Sequence, residues 1–174
     1  MPVSAVLFIE KRPVLAGGER EGFVMCSSGT VFNHVGLCVT DRGRSRRFYQ
    51  ELLGFGFWWE ADVPDAGADQ LLQLERPVGL HVTYLIRDGL VLELLDYSQR
   101  SVAAGGRRVM DQVGLTHISF SVSDLAAVLD NVEALGGSVL ERTVSRHSAM
   151  IRDPDGQLLE LLSDGWLAAA PPHP

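Results

Sequence analysis

The chain carries one unit twice, and the repeat limits what it can fold into. VFNHVGLCVT at residues 31–40 is echoed by GLTHISFS at 114–121, with His34 and His117 at matching places. Each stretch is followed by an aspartate, a helical pattern closed by glycine, and later the letters LELL. The first LELL holds Glu93 and the second Glu160. Gly89 stands four residues before Glu93, and Gly156 four before Glu160. Two such copies, each a strand, a helix and three strands, must bury their apolar faces against a shared core.

The boundaries follow from the local signals. The first module is expected over 30–98, a Gly-, Arg- and Ser-rich linker over 99–113, and the second module over 114–165. Residues 1–29 form an extension with no counterpart later in the chain, and 166–174 read as a disordered tail. In the first strand His34, Gly36 and Cys38 alternate with Val35, Leu37 and Val39. Asp41 is placed to cap a helix running to Leu53, and Gly54 to end it. Phe55 to Glu60 reads as a short aromatic strand, and Ala68 to Leu74 as a helical turn. Asp88-Gly89 suits a two-residue type I′ turn between strands spanning 80–97. That turn puts Arg87 opposite Leu90 and Tyr84 opposite Glu93, and turns His81 to the other face. In the second module Asp124 caps a helix to Leu135 whose Leu125, Val128, Leu129 and Val132 form a core stripe. Strands are expected at Ser138–Val144, His147–Arg152 and Gln157–Ser163, the last two joined by a turn at Asp153-Pro154-Asp155-Gly156.

A glutamate flanked by packed leucines points away from the core. Glu93 and Glu160 therefore share the face that His34 and His117 occupy. Four ionisable groups on a concave face are costly unless something pairs them. His–Glu contacts do so in part, and a divalent cation does so better, since imidazole and carboxylate are ligands for Zn, Ni, Co, Mn or Fe. Met150, beside Glu160, Ser119, two residues after His117, and Tyr84 are candidate substrate contacts. His81, His147 and His173 have no repeat partner and are given no role.

Composition bounds the partners. Of 174 residues 46% are hydrophobic and 21% charged, with a formal charge of −7, which disfavours nucleic acid. Cys26 and Cys38 lack zinc-type spacing, so a reduced, cytoplasmic protein is the simplest reading. The start, MPVSAVLFIEKRP, has neither the basic region nor the apolar length of a signal peptide or a membrane span.

NHVGLCVTDRGRSRRFYQELLGF, LVLELLDY, LTHISFSVSDL and IRDPDGQLLELL together resemble the vicinal oxygen chelate superfamily, over residues 31–163. That superfamily holds glyoxalase I, methylmalonyl-CoA epimerase, extradiol dioxygenases, and fosfomycin- and bleomycin-resistance proteins. The resemblance implies an α+β fold: two βαβββ modules forming a curved, partly open eight-stranded mixed sheet with helices on the convex face. It implies one divalent metal ion held by His34, Glu93, His117 and Glu160. The His-Glu-His-Glu set is similar to bacterial glyoxalase I, and the epimerases have Gln in the second place. By the same resemblance Glu160 is the first candidate catalytic base and Glu93 the second. The implied activity is that of a metal-dependent lyase or isomerase acting on a small oxygen-chelating substrate. The alternatives are an Fe(II) or Mn(II) dioxygenase, for which His34, His117 and Glu160 would suffice, and a non-enzymatic binding protein. A homodimer is expected, because module edges need covering. The short segment Thr143–Ser148 and the extension 1–29 depart from the family pattern.

Overall fold

The computed structural model describes residues 29–103, 105–106 and 108–169. The chain divides into two compact units, residues 1–32 and 33–174. Of the first unit only 29–32 are described, and they have no regular structure. The expectation for the rest of the extension, with Cys26, lies outside the described residues.

The second unit contains both modules. In the first, β1 (Val35–Cys38) leads to α1 (Arg42–Arg47), which continues through a π-helical turn at Phe48–Leu52. Then come β2 (Gly56–Asp62), α2 (Asp65–Leu72), β3 (Leu80–Arg87) and β4 (Leu90–Tyr97). The second repeats the order with β5 (His117–Val122), α3 (Leu125–Val132), β6 (Ser138–Val139), β7 (Ser148–Arg152) and β8 (Leu158–Ser163). The eight strands pair as two four-stranded mixed sheets, β1-β4-β3-β2 and β5-β8-β7-β6. In each the first strand, β1 directly after His34 and β5 beginning at His117, runs parallel to the glutamate-bearing one.

Local chemistry explains the element ends. The Asp41 carboxylate accepts from the Arg44 amide and that of Asp124 from the Ala127 amide, so both caps form where the sequence places them. Gly54 closes the first helix at φ +69. Asp88 and Gly89, at φ 49 and 83, make the type I′ turn, and the ladder pairs Arg87 with Leu90 and Tyr84 with Glu93. Leu92, Leu94, Leu159 and Leu161 are fully buried and belong to one core with Phe48, Tyr49, Leu53, Val122, Leu125 and Val132. Burying each leucine is worth about 1.5–3 kcal/mol, which fixes the glutamates between them on the opposite face.

Polar contacts lock the modules together. Tyr49, in the first helix, donates its hydroxyl to Asp153 Oδ2 of the β7–β8 turn at 2.8 Å, both groups being buried. Asp155 of the same turn accepts from the Thr40 amide, Arg44 and Ser45. Phe55 meets Phe120 edge to face, with ring centroids 5.8 Å apart. Gly137 is required at the same seam. A Cβ there would lie 2.6 Å from the Arg152 carbonyl oxygen and 2.7 Å from the Phe48 ring.

Three expectations need correction. The strand expected over Ser138–Val144 ends at Val139, and Glu141–Thr143 is a 3-10 turn. Thr143 closes that turn by donating both its amide and its hydroxyl to the Leu140 carbonyl, which takes the segment out of the ladder. The tail from 166 is expected to be disordered, yet Asp164–Ala169 is a helix, α4. Residues 170–174, His173 among them, lie outside the described residues. The aromatic strand runs two residues further than expected and carries a β-bulge between Phe57 and Trp59.

Candidate metal and substrate site

Each module brings one imidazole against one carboxylate. His34 immediately precedes β1, and Gly36, two residues on, pairs with Glu93 of β4. His34 Nε2 stands 3.0 Å from Glu93 Oε2. In the second module Ser119 pairs with Glu160, and His117 Nε2 lies 3.6 Å from Glu160 Oε2. A Cβ at Gly36 would lie 3.6 Å from Glu93 Oε2, an ordinary van der Waals contact, and 3.3 Å from Leu95 Cδ1, the tighter neighbour.

The residue before each histidine holds its other ring nitrogen. Asn33 Oδ1 is 2.6 Å from His34 Nδ1, and Thr116 Oγ1 is 2.9 Å from His117 Nδ1. Asn33 Oδ1 only accepts, so it favours the tautomer with the proton on His34 Nδ1, in which Nε2 faces a carboxylate oxygen. Two lone pairs that close require a proton or a cation between them. Such an outer contact on Nδ1 is the arrangement that orients a metal-binding imidazole. The sequence reading overlooked Asn33 and Thr116. The available signal was a polar residue directly before each repeated histidine.

Each carboxylate also receives one hydroxyl. Tyr84 donates to Glu93 Oε1 at 2.5 Å, and Ser119 donates to Glu160 Oε2 at 2.7 Å. Burial first, then the Glu93 hydrogen bond, raises the Tyr84 phenol well above its ordinary range, so it remains a donor at any ordinary pH. The glutamates differ in freedom. The Glu93 side chain is 13% exposed and held from both sides, whereas that of Glu160 is 31% exposed with a longer histidine contact. Met150 pairs with Glu160 across β7 and β8, on the same face. His81 pairs with Asp96 and contacts Asp62, on the face away from Tyr84.

A second feature of this face was not visible in the sequence. A regular strand would send Trp58 and Trp59 to opposite faces. The bulge adds a residue, so that Trp59 pairs with Tyr84 and stacks on it at 4.3 Å, while Trp58 meets Tyr84 edge to face at 6.1 Å. Tyr84 in turn meets the His34 ring at 5.6 Å.

The glyoxalase/bleomycin resistance protein/dioxygenase superfamily model matches residues 31–161. The chain belongs to this superfamily. Among characterised relatives, a lactoylglutathione lyase of Pseudomonas aeruginosa is 33% identical over 76% of this chain and 81% of its own length. A solved glyoxalase family protein from Bacillus cereus superposes with a TM-score of 0.68 at 16% identity, covering 79% of this chain and 97% of that one. The trypanothione-dependent glyoxalase I of Leishmania major gives 0.58 at 22% identity, covering 78% and 88%. At these identities the two structures establish the fold alone.

Glyoxalases of this superfamily typically use a divalent metal. Two imidazoles and two carboxylates are a donor set such a cation accepts. The described residues supply it as two separate pairs. Among them no group of three or more His, Cys, Asp or Glu side chains is placed to hold one ion. The donors thus fit the group chemically, in halves. Concavities of about 680 and 730 Å³ open elsewhere, and neither is lined by any of the four residues. No helix among the described residues is long and apolar enough to cross a membrane.

Proposed function

We propose that this protein is a divalent-metal-dependent lyase or isomerase of the glyoxalase I or epimerase kind, acting on a small substrate with two neighbouring oxygens. The observation that carries the reading is the duplicated pair: Nδ1 of each histidine held by the preceding residue, Nε2 facing a glutamate on the adjacent strand. His34, Glu93, His117 and Glu160 are the residues that would hold the cation. When bound, it would supply a Lewis acid that stabilises an enediolate or enolate of the substrate.

The chain's own groups divide the remaining work. Glu160 is the base: it is the more exposed carboxylate, with the looser histidine contact and a serine hydroxyl that can rotate away. It takes a proton from the carbon beside the substrate carbonyl and returns it to the neighbouring carbon or the opposite face. Glu93, fixed by Tyr84 and His34, is the holding carboxylate. Tyr84, Ser119 and Met150 line the substrate's position, with the two hydroxyls orienting its oxygens.

Two half-sites in one chain support a homodimer in which each complete site takes the His34–Glu93 pair from one copy and the His117–Glu160 pair from the other. The reading places the protein in the reducing cytosol, and its partner is a small molecule rather than nucleic acid or membrane. The test is to screen hemithioacetals, acyl-CoA esters and catechols with metal-loaded protein while following solvent proton exchange and O₂ uptake. Exchange at the substrate α-carbon without O₂ uptake supports the lyase or isomerase. O₂ consumption without exchange refutes it in favour of a dioxygenase, and ligand binding without turnover refutes it in favour of a binding protein.

A further inference from the structure

The bulge in β2 places two indoles on the same face as the His34–Glu93 pair. Trp58 is 55% exposed and Trp59 40%. Their planes cross at 80°, with centroids 6.2 Å apart, and Trp59 lies nearly parallel to Tyr84 at 15°. The three rings form a corner: Trp59 stacked on Tyr84 as one side, Trp58 standing perpendicular as the other. Phe57, the third exposed aromatic of the strand, belongs to the opposite face, where Leu85 is its partner and the Arg46 guanidinium covers its ring at 4.3 Å. No such cation covers the two indoles among the ring contacts of the described residues.

Exposing two adjacent indoles opposes folding, because each is a large apolar surface left in water. A bulge that aims both at one face is a specific departure from strand geometry, and bulges are over-represented beside active sites. The corner is continuous with the candidate site. Tyr84 bonds Glu93 through its hydroxyl and touches His34 with its ring. We propose that Trp58, Trp59 and Tyr84 form a stacking subsite for a planar aromatic ring carried by the substrate next to its oxygen-bearing end. A flat ring entering the corner meets one indole face to face and the other edge to face, both favoured geometries. This rests on the functional reading above for what occupies the neighbouring half-site, and it narrows the substrate class to aromatic compounds with vicinal oxygens.

The experiment compares two probes sharing one chelating head, 2-naphthohydroxamate and cyclohexanecarbohydroxamate, by calorimetry on the intact protein as purified. The expected result is tighter binding of the planar probe by at least about tenfold, in line with the strength of ring stacking on aromatic side chains. Trp58→Ala and Trp59→Ala should each weaken 2-naphthohydroxamate by roughly 5- to 100-fold and leave cyclohexanecarbohydroxamate unchanged. With Trp58, Trp59 and Trp166 the chain's three tryptophans, the Trp166→Phe protein should lose indole emission as the planar probe binds. His34→Ala separates the two proposals: it should weaken both probes through the shared head while preserving the preference for the flat ring. Loss of that head-group effect counts against the metal reading and leaves the subsite standing. Equal affinity for the two probes, or Trp variants that bind the naphthyl probe like the parent, overturns the subsite. Dissociation of a dimer in the Trp variants with ring preference intact also overturns it, and assigns the corner to a contact between copies.

Discussion

Replacing Tyr49 by Phe removes one oxygen atom and tests how the two modules are held together. The Tyr49 hydroxyl donates to Asp153 Oδ2 at 2.8 Å, and neither residue has appreciable solvent contact. Asp153 keeps its other bonds, since Oδ1 accepts from the Asp155 and Gln157 amides. The variant therefore leaves one carboxylate oxygen buried without its donor. A hydrogen bond to a charged group contributes about 1.5–3 kcal/mol, so the expected loss is about 2 kcal/mol near neutral pH. For a chain of this size that corresponds to a fall in Tm of roughly 4–8 °C. The pH dependence carries a sign. Burial raises the Asp153 carboxyl above the ordinary carboxylate range, and the Tyr49 bond holds it down. Folding thus binds a proton at Asp153, and this group's cost appears as pH rises from the unfolded carboxylate value through the raised folded one. Without Tyr49 the folded value rises further. The difference between parent and variant should be largest well above that value and shrink as pH falls through it. Urea denaturation between pH 4 and 8 measures both. A loss below about 0.5 kcal/mol at pH 7, or one that grows on acidification, refutes the claim that this bond stabilises an ionised Asp153.

Three further outcomes are expected. Glu160→Gln should retain much of its metal yet lose α-carbon proton exchange by roughly 10²–10⁴-fold, with Glu93→Gln milder; equal small losses would remove Glu160 as base. Tyr84→Phe, which leaves the carboxylate of Glu93 without its 2.5 Å donor, should weaken metal binding by about 10-fold or more in equilibrium dialysis, as loss of an outer contact does. Leu161→Ala, truncating a fully buried side chain beside Glu160, should cost about 2–5 kcal/mol in urea denaturation without altering the metal ligands themselves.

The readable parts of this chain were those governed by short-range rules. Period-two alternation put Glu93 and Glu160 opposite their leucine neighbours, with His34 opposite Val35 and His117 opposite Ile118. The Asp88-Gly89 turn fixed the register that pairs Tyr84 with Glu93. The caps at Asp41 and Asp124 followed from side-chain chemistry alone. What escaped depends on single-residue departures or on packing between distant segments. One inserted residue at the bulge brought Trp58 and Trp59 to the same face, which alternation forbids. The Tyr49–Asp153 bond joins positions with no local relation. Alternation also assigns each of the four residues to a face without saying how the two faces stand to one another, so their division into two pairs came only with the structure.

Mixing two defective variants tests the central claim most directly. His34→Ala breaks the first pair and His117→Ala the second, so each protein alone should hold little metal. If complete sites form between copies, a mixed dimer carries one site broken twice and one intact. Unfolding and refolding the variants together in equal amounts should then restore about a quarter of the parent's bound metal, since about half the dimers are mixed and each has one of two sites whole. Metal analysis of the dimer fraction reads this. Recovery near a quarter is the predicted result. Metal content in the mixture no higher than in the separate variants contradicts a site shared between copies. Full metal content in either variant alone contradicts the assignment of these histidines as ligands.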